Sequence, residues 1–89
     1  MFKKWLTNKI SVEDAETKHL VTDERLGPEP VPFGYMLETW KAFKAKIQNG
    51  DELWEFSSPV ETWQNLSGRA GLCIVRKGKI ITSILTVMN

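Results

Sequence analysis

Residues 71–88, GLCIVRKGKIITSILTVM, contain two runs of β-branched and other apolar residues on either side of a short basic segment, Arg76-Lys77-Gly78-Lys79. Runs of this composition are typical of β-strands, and a glycine between them suits a two-residue turn. The stretch therefore predicts a β-hairpin with strands at 71–76 and 79–88. Its tip is predicted at Lys77-Gly78.

The predicted turn sets the register of this hairpin. An even-numbered loop places Val75 opposite Ile80 and Ile74 opposite Ile81, and side chains then alternate between the two faces of the sheet. Both faces are expected to be largely apolar. One holds Leu72, Ile74, Ile81, Leu85 and Val87, and the other holds Cys73, Val75, Ile80, Ile84 and Met88.

Two apolar faces need two covers, and a single helix can cover only one face of a sheet. The second cover is predicted to be either the N-terminal segment, with Phe2, Trp5 and Leu6, or a second copy of the chain.

The first cover is the most clearly patterned helix, predicted at 34–48. Met36, Trp40, Phe43 and Ile47 recur at spacings of four, three and four, which aligns them on one helical face. Asn49-Gly50 is expected to end this helix as a left-handed cap.

Between helix and hairpin, residues 51–57 alternate as a strand does, with Trp54 and Phe56 directed to one side. Ser58-Pro59-Val60-Glu61 has the form of a capping box and predicts a short bridging helix that stops at Gly68.

Residues 1–33 are expected to form a looser N-terminal arm and a connector. Ser11-Val12-Glu13-Asp14 is a first capping box and predicts a short helix at 12–20. Alternate prolines between Gly27 and Pro32 predict a stiff extended link. The resulting expectation is a single α+β domain over residues 1–89, in which the helix and a three-stranded antiparallel meander of 34–89 form the core.

Composition excludes several classes of protein. The chain has 89 residues, 42% of them hydrophobic, and a formal charge of +1. These values argue against a second domain and against a fully disordered chain. No apolar run is long enough to cross a membrane, and the N-terminus does not resemble a secretory signal. Positive and negative charges alternate in blocks, which favours internal pairing over a nucleic-acid partner.

The chemistry-bearing residues are few. Cys73 is the only cysteine and His19 the only histidine, so a structural zinc site is not expected, and no cofactor is predicted. Cys73 lies in an apolar run and is predicted to be buried, in a reducing and therefore cytoplasmic compartment. The sequence contains none of the common nucleophile or phosphate-binding motifs, so no catalytic residue is assigned.

Two alternative sites stay open at this stage. An aromatic ring beside cations suits a nucleic acid or another anionic ligand. A carboxylate on an aromatic strand, Glu55, beside Arg69 would suit an enzyme. The residues of the anionic site are Trp63, Arg69, Arg76, Lys77 and Lys79.

The run LWEFSSP at 53–59, followed by Trp63, Leu66, GRAG at 68–71 and VRKG at 75–78, resembles a stretch of small bacterial proteins of unknown function. The resemblance covers roughly the last 40 residues and implies a compact unit ending in a hairpin, with no activity or ligand. The leading expectation is a non-enzymatic cytoplasmic interaction or accessory protein that self-associates through its sheet.

Overall fold

The structure, a computed structural model, describes residues 3–88 and belongs to the α+β class, as predicted. Within these residues the strands form one four-stranded and one two-stranded sheet, so the prediction of a three-stranded meander is wrong. The α-helices are α1 (Val12–Lys18), α2 (Leu37–Lys44) and α3 (Val60–Gln64), and the strands are β1 (Leu6–Lys9), β2 (Leu20–Val21), β3 (Val31–Pro32), β4 (Glu52–Ser57), β5 (Arg69–Arg76) and β6 (Lys79–Met88).

The described residues form two compact units. The first contains the chain up to Ile10 and from Ile47 onwards, and the second contains Ser11–Lys46. The first unit holds the larger sheet, whose strand order is β1-β4-β5-β6 with every pair antiparallel. The second holds α1, α2 and the β2-β3 pair. The assignment of one domain to residues 1–89 stays a prediction.

The hairpin predicted from residues 71–88 is present as β5 and β6. Lys77 and Gly78 form its tip with φ angles of 52° and 77°, the left-handed conformation of a type I′ turn. This turn twists in the same sense as the strands that it joins, and glycine adopts it without steric cost.

The predicted register is correct only next to the turn. Val75 lies opposite Ile80, but Ile74 lies opposite Thr82, so that Ile81 is an extra residue in β6. Such a β-bulge bends the strand and increases its twist. The faces predicted for Ile84 and Leu85 are therefore wrong, whereas Val87, opposite Ala70, and Met88, opposite Arg69, lie on their predicted faces because a second bulge restores the alternation.

A second bulge follows five residues later in β6. Gly71 lies opposite Leu85 and Ala70 opposite Val87, which leaves Thr86 as the extra residue. Here β6 approaches β5 so closely that a Cβ on Gly71 would collide with the backbone carbonyl of Ile84. A glycine in β5 is thus required where the edge strand bends in.

The N-terminal segment covers part of one sheet face, one of the two covers predicted. Trp5 and Leu6 pack against a buried cluster of Phe56, Cys73 and Val75. Leu6 belongs to β1 and pairs with Phe56, so the segment also extends the sheet as its fourth strand. Phe2, predicted to share this role, lies outside the described residues.

The main helix is shorter than predicted. A 3-10 turn at Gly34–Met36 precedes α2, which ends at Lys44. Trp40 and Phe43 are buried as expected. The predicted cap at Asn49-Gly50 is not the helix end, because residues 48–51 form a separate turn. In this turn the Asp51 carboxylate accepts a hydrogen bond from the Gln48 amide at 2.8 Å.

Residues 11–33 have more structure than the predicted arm. The Ser11 hydroxyl accepts a hydrogen bond from the Asp14 amide at 3.0 Å, as the first capping box predicts, and α1 follows. The end of the proline-rich link pairs as β3 with β2. The stiff connector is thus partly a strand.

Candidate functional site

The outer edge of β6, which is the backbone of Ile80–Met88 on the side away from β5, is the most unusual surface of the first unit. β6 is the last strand of the sheet, and no strand within residues 3–88 pairs with this edge. Its large side chains are also unusually accessible: Ile81, Leu85, Val87 and Met88 are 42%, 39%, 49% and 62% exposed.

Hydrogen bonds at the start of β5 establish which backbone groups this edge presents. The Ser58 amide donates to the Arg69 carbonyl at 2.8 Å, and the Arg69 amide donates to the Ser58 hydroxyl at 2.9 Å. Both backbone groups of Arg69 therefore point towards the β4 side. Because successive residues of a strand alternate in this direction, those of Ala70, Leu72 and Ile74 point towards β6.

The direction of each β6 residue follows from its partner in β5. The backbone groups of a β6 residue form hydrogen bonds to β5 when that residue lies opposite Ala70, Leu72, Ile74 or Arg76. The β6 residues opposite the intervening positions of β5 direct their N–H and C=O groups away from it. The second set forms the donors and acceptors of the outer edge. It consists of Ile80, Ser83, Leu85 and Met88.

The chemistry of this edge suits strand pairing. The segment 80–88 contains no charged residue, no proline and no glycine. A long, apolar and uncharged edge strand is a template for another strand, and proteins usually protect such edges with charges or prolines. The features that interrupt this edge are the two bulges, at Ile81 and Thr86.

The opposite edge of the same sheet is built differently. β1 has four residues, and its register shifts between Leu6 and Asn8. It also carries Lys9, whose ammonium donates to Glu52 at 3.0 Å. A short, irregular and charged strand is a poor template. The two edges of the sheet therefore differ in their capacity to pair.

The residues of the predicted anionic site fall into two groups. Arg69 is the first residue of β5 and Arg76 the last, so that their Cα atoms are about 23 Å apart along the strand at ~3.3 Å per residue. Trp63 lies with Arg69, while Lys77 and Lys79 lie with Arg76 at the hairpin tip. The five residues therefore do not form one compact cluster.

Trp63 has a structural role. Its indole ring lies over Gly68, where a Cβ would collide with it, and its Nε1 donates to the Ser58 carbonyl at 3.1 Å. Arg69 donates from Nη1 to the Gly68 carbonyl at 2.8 Å. Trp63 and Arg69 thus fasten the segment between α3 and β5.

Ser58 does not cap α3, contrary to the second predicted capping box. The helix begins after Pro59, which has no side-chain hydrogen bond to the helix. The Ser58 hydroxyl is instead 2.6 Å from the Thr62 hydroxyl and accepts from the Arg69 amide. Its position beside β5 takes it away from the helix amides.

Arg76 is paired with a carboxylate. Its Nε and Nη2 donate to the two oxygens of Asp51, each at 2.8 Å, and the side chain of Asp51 is 1% exposed. The hydrogen bonds from Arg76 and from the Gln48 amide lower the pKa of Asp51 to about 2. The pair lines a shallow cleft of about 230 Å³ with residues 48–50 and Lys77.

The hairpin tip keeps a cluster of lysines beyond this pair. Lys77 and Lys79 are exposed there, and the Lys3 ammonium lies beside Gly78. Lys77 and Lys79 are thus two members of the predicted anionic site that flank one turn residue, and Lys3, which was not predicted, lies beside that residue.

The enzyme alternative required Glu55 and Arg69 to face one another. Glu55 lies opposite Leu72, and paired residues of neighbouring strands share a face. Arg69 is three residues from Leu72, an odd number, so its side chain belongs to the other face. The sheet therefore separates the proposed carboxylate from its cation.

The remaining reactive groups are not arranged as a site. Cys73 is buried as predicted, and burial raises the pKa of its thiol to about 11. Among residues 3–88, no group of three or more histidine, cysteine or acidic side chains is placed to hold a metal ion. No helix in the same range is long and apolar enough to cross a membrane.

Comparison with protein-family models, with curated proteins and with solved structures yields no match. A function is therefore inferred from the chain's own residues. Sequence reasoning identified β6 as apolar but missed the set of residues whose backbone groups point outwards. The uncharged run 80–88 predicted an apolar strand but not its place at the edge, and the two bulges that select this set, one of them beside Gly71, have no marker in the sequence.

Proposed function

We propose that this chain is a small non-enzymatic interaction protein of the cytoplasm that self-associates through the outer edge of β6. The observation that carries the proposal is the row of outward-directed backbone groups on the uncharged segment 80–88 of β6, where Ile81, Leu85, Val87 and Met88 are exposed. The cytoplasmic location is proposed because the single cysteine of the sequence allows no intrachain disulfide, which fits a reducing compartment.

Addition of a strand at this edge satisfies two needs together. The backbone groups of Ser83 and Leu85 exchange bonds to water for bonds to a partner strand, each net favourable by about 1 kcal/mol. The side chains of Ile81 and Val87 leave water at the same time, which is favourable in proportion to the apolar area buried. Together these terms favour association without any catalytic group.

Light scattering over a concentration series tests the proposal. The chain has a mass of 10.2 kDa, and we expect the measured mass to rise towards twice this value as the concentration increases. A strict monomer at the highest attainable concentration would remove self-association from the proposal.

A pair of matched variants assigns the effect to β6. Leu85→Lys places a charge on the edge strand, at a side chain that already reaches solvent. We expect it to weaken association tenfold or more, which corresponds to about 1.4 kcal/mol. Val60→Lys adds the same charge at an exposed position of α3 and is expected to leave association unchanged. Equal effects of both variants would point to net charge instead of the edge.

The alternative is a function in binding nucleic acid or another anionic ligand. The closeness of Lys3 to the hairpin tip favours a smaller binding site than the one predicted, in which Lys77 and Lys79 contact the ligand. Binding of single-stranded DNA or RNA by these lysines must weaken steeply with salt, because counterions are released from the phosphates. Titration at low and high salt, with Lys77→Gln and Lys79→Gln together as the matched variant, tests this function. Absence of binding at low salt excludes the nucleic-acid form.

A further inference from the structure

The outward-directed residues of β6 have a symmetric spacing. They are Ile80, Ser83, Leu85 and Met88, with intervals of three, two and three residues. The two bulges cause this spacing, because each inserts one residue between successive outward positions. The pattern is the same in both directions along the strand and is centred on Ile84.

A strand with such a spacing is complementary to an antiparallel copy of itself. We infer that β6 pairs antiparallel with β6 of a second copy about a two-fold axis at Ile84, joining two four-stranded sheets into one. This inference deepens the proposed function and rests on it. Turning a copy about the axis places Ser83 opposite Leu85 of the copy and Ile80 opposite Met88, so each outward N–H meets an outward C=O.

The same register also matches the side chains. Ile81 of one copy lies opposite Val87 of the other, and these two side chains are 42% and 49% exposed in the single chain. Ile84 lies opposite its own copy, and Thr82 lies opposite Thr86. Apolar and Thr–Thr cross-strand pairs both stabilise antiparallel sheets. A register centred on Ser83 would instead place Ile80 opposite Thr86 and Leu85 opposite Ile81, so that these outward residues meet the extra residues of the bulges and not outward residues of the copy.

Charge selects the antiparallel arrangement over a parallel one. In a parallel pair the two hairpin tips would lie side by side, with Lys77 and Lys79 about 4.8 Å from their copies. In the antiparallel pair the tips lie at opposite ends of the joined strands, and the segment 80–88 between them is uncharged. The pairing is also closed, because both copies use the same edge, and β1 offers no matching template for growth.

Disulfide cross-linking in a Cys73→Ala background tests the register. Ile84→Cys places two thiols at directly opposed positions without backbone hydrogen bonds, where Cα atoms about 4.5 Å apart are within reach of a disulfide. We expect mild oxidation to convert this variant largely to a covalent dimer.

Thr82→Cys and Thr86→Cys are the matched variants. Each alone lies about 13 Å from its own copy, four residues along the strand, and is expected to remain monomeric in a denaturing gel. A mixture of the two is expected to cross-link, because Thr82 lies opposite Thr86 of the copy. Circular dichroism of each variant establishes that it is folded.

The outcomes separate the inference from the proposed function. A chain that dimerises in light scattering but cross-links through Thr82→Cys alone, or not through Ile84→Cys, overturns the inferred register and leaves self-association intact. A chain that neither dimerises nor cross-links overturns both.

Discussion

Arg76 holds the carboxylate of Asp51 through two hydrogen bonds of 2.8 Å, and the two residues are 25 positions apart in the chain. Asp51 also accepts from the Gln48 amide, so one carboxylate ties the turn before β4 to the end of β5. A two-pronged contact between guanidinium and carboxylate is among the strongest side-chain hydrogen bonds in proteins. The pair therefore fixes this end of the hairpin.

Asp51 is expected to make stability depend on pH in the acid range. Its pKa is lowered from 3.8 to about 2 by Arg76 and the Gln48 amide, so its contribution is complete well above the ordinary value, declines below about pH 5 and is lost as the pH falls through about 2. Thermal unfolding followed by circular dichroism at pH 7, 4, 3 and 2 measures this loss.

Asp51→Asn is the matched variant for this experiment. It is expected to melt several degrees lower than the native chain at pH 7 and to lose less stability between pH 4 and pH 2. Parallel pH profiles of the two proteins would contradict the assignment to Asp51.

Glu16 is expected to stabilise the second unit through a buried indole. One oxygen of its carboxylate accepts from the Trp40 Nε1 at 2.8 Å and from the Lys44 ammonium at 2.7 Å. Trp40 is fully buried, so Glu16→Ala leaves its N–H without this acceptor and is expected to cost roughly 1–3 kcal/mol. Urea unfolding followed by tryptophan fluorescence gives the free energy.

Glu16→Gln separates hydrogen bonding from charge. It keeps an oxygen acceptor for Trp40 but loses the attraction to Lys44, so it is expected to cost less than Glu16→Ala. The hydrogen bonds to Lys44 and Trp40 lower the pKa of Glu16, and its contribution is therefore lost as the pH falls below the ordinary value of 4.5. Equal costs for the two substitutions would assign the effect to the charge alone.

Local signals in the sequence predicted local structure well. The β-branched runs and the glycine at position 78 predicted the hairpin, and the hydroxyl of Ser11 three residues before Asp14 predicted the start of α1. Ser58 shows the limit of such signals. Its capping pattern is the same, but β5 competes for its hydroxyl and wins, because the Arg69 amide lies 2.9 Å from it.

The candidate surface depends on long-range geometry that the pattern of residues does not contain. The alternation of β6 suggested two regular faces, whereas the bulges at Ile81 and Thr86 shift the register twice. The bulge at Thr86 lies where β6 closely approaches Gly71, and this approach is defined only by the folded sheet. The fourth strand of the larger sheet, β1, was not predicted because its local pattern is weak. It has four residues, of which only Leu6 is strongly apolar.

Cys73 is expected to be unreactive in the native chain. It has no exposed surface, and burial raises its pKa to about 11, so very little thiolate exists at pH 8. A thiol reagent such as Ellman's reagent at pH 8 should therefore react at a rate limited by unfolding, and at once in urea. Rapid labelling of the native protein would contradict the buried position.

Gly71→Ala is expected to disrupt the bulge that shapes the β6 edge. The added Cβ would collide with the Ile84 carbonyl, and neither strand backbone can yield as a side chain would. Overpacking of this kind costs roughly 1–3 kcal/mol, so the variant should unfold at lower urea concentration. Because Leu85 lies opposite Gly71, the displaced β6 should also lose association beyond the loss of stability.

Ala70→Ser is the matched control for Gly71→Ala. It adds one atom at the residue of β5 that precedes Gly71 and already carries a Cβ. We expect it to change stability and association less than Gly71→Ala does. Light scattering compares the two variants in buffer without urea, at a protein concentration where the native chain is dimeric. Full association by a folded Gly71→Ala variant would contradict the dependence of the β6 edge on this close approach.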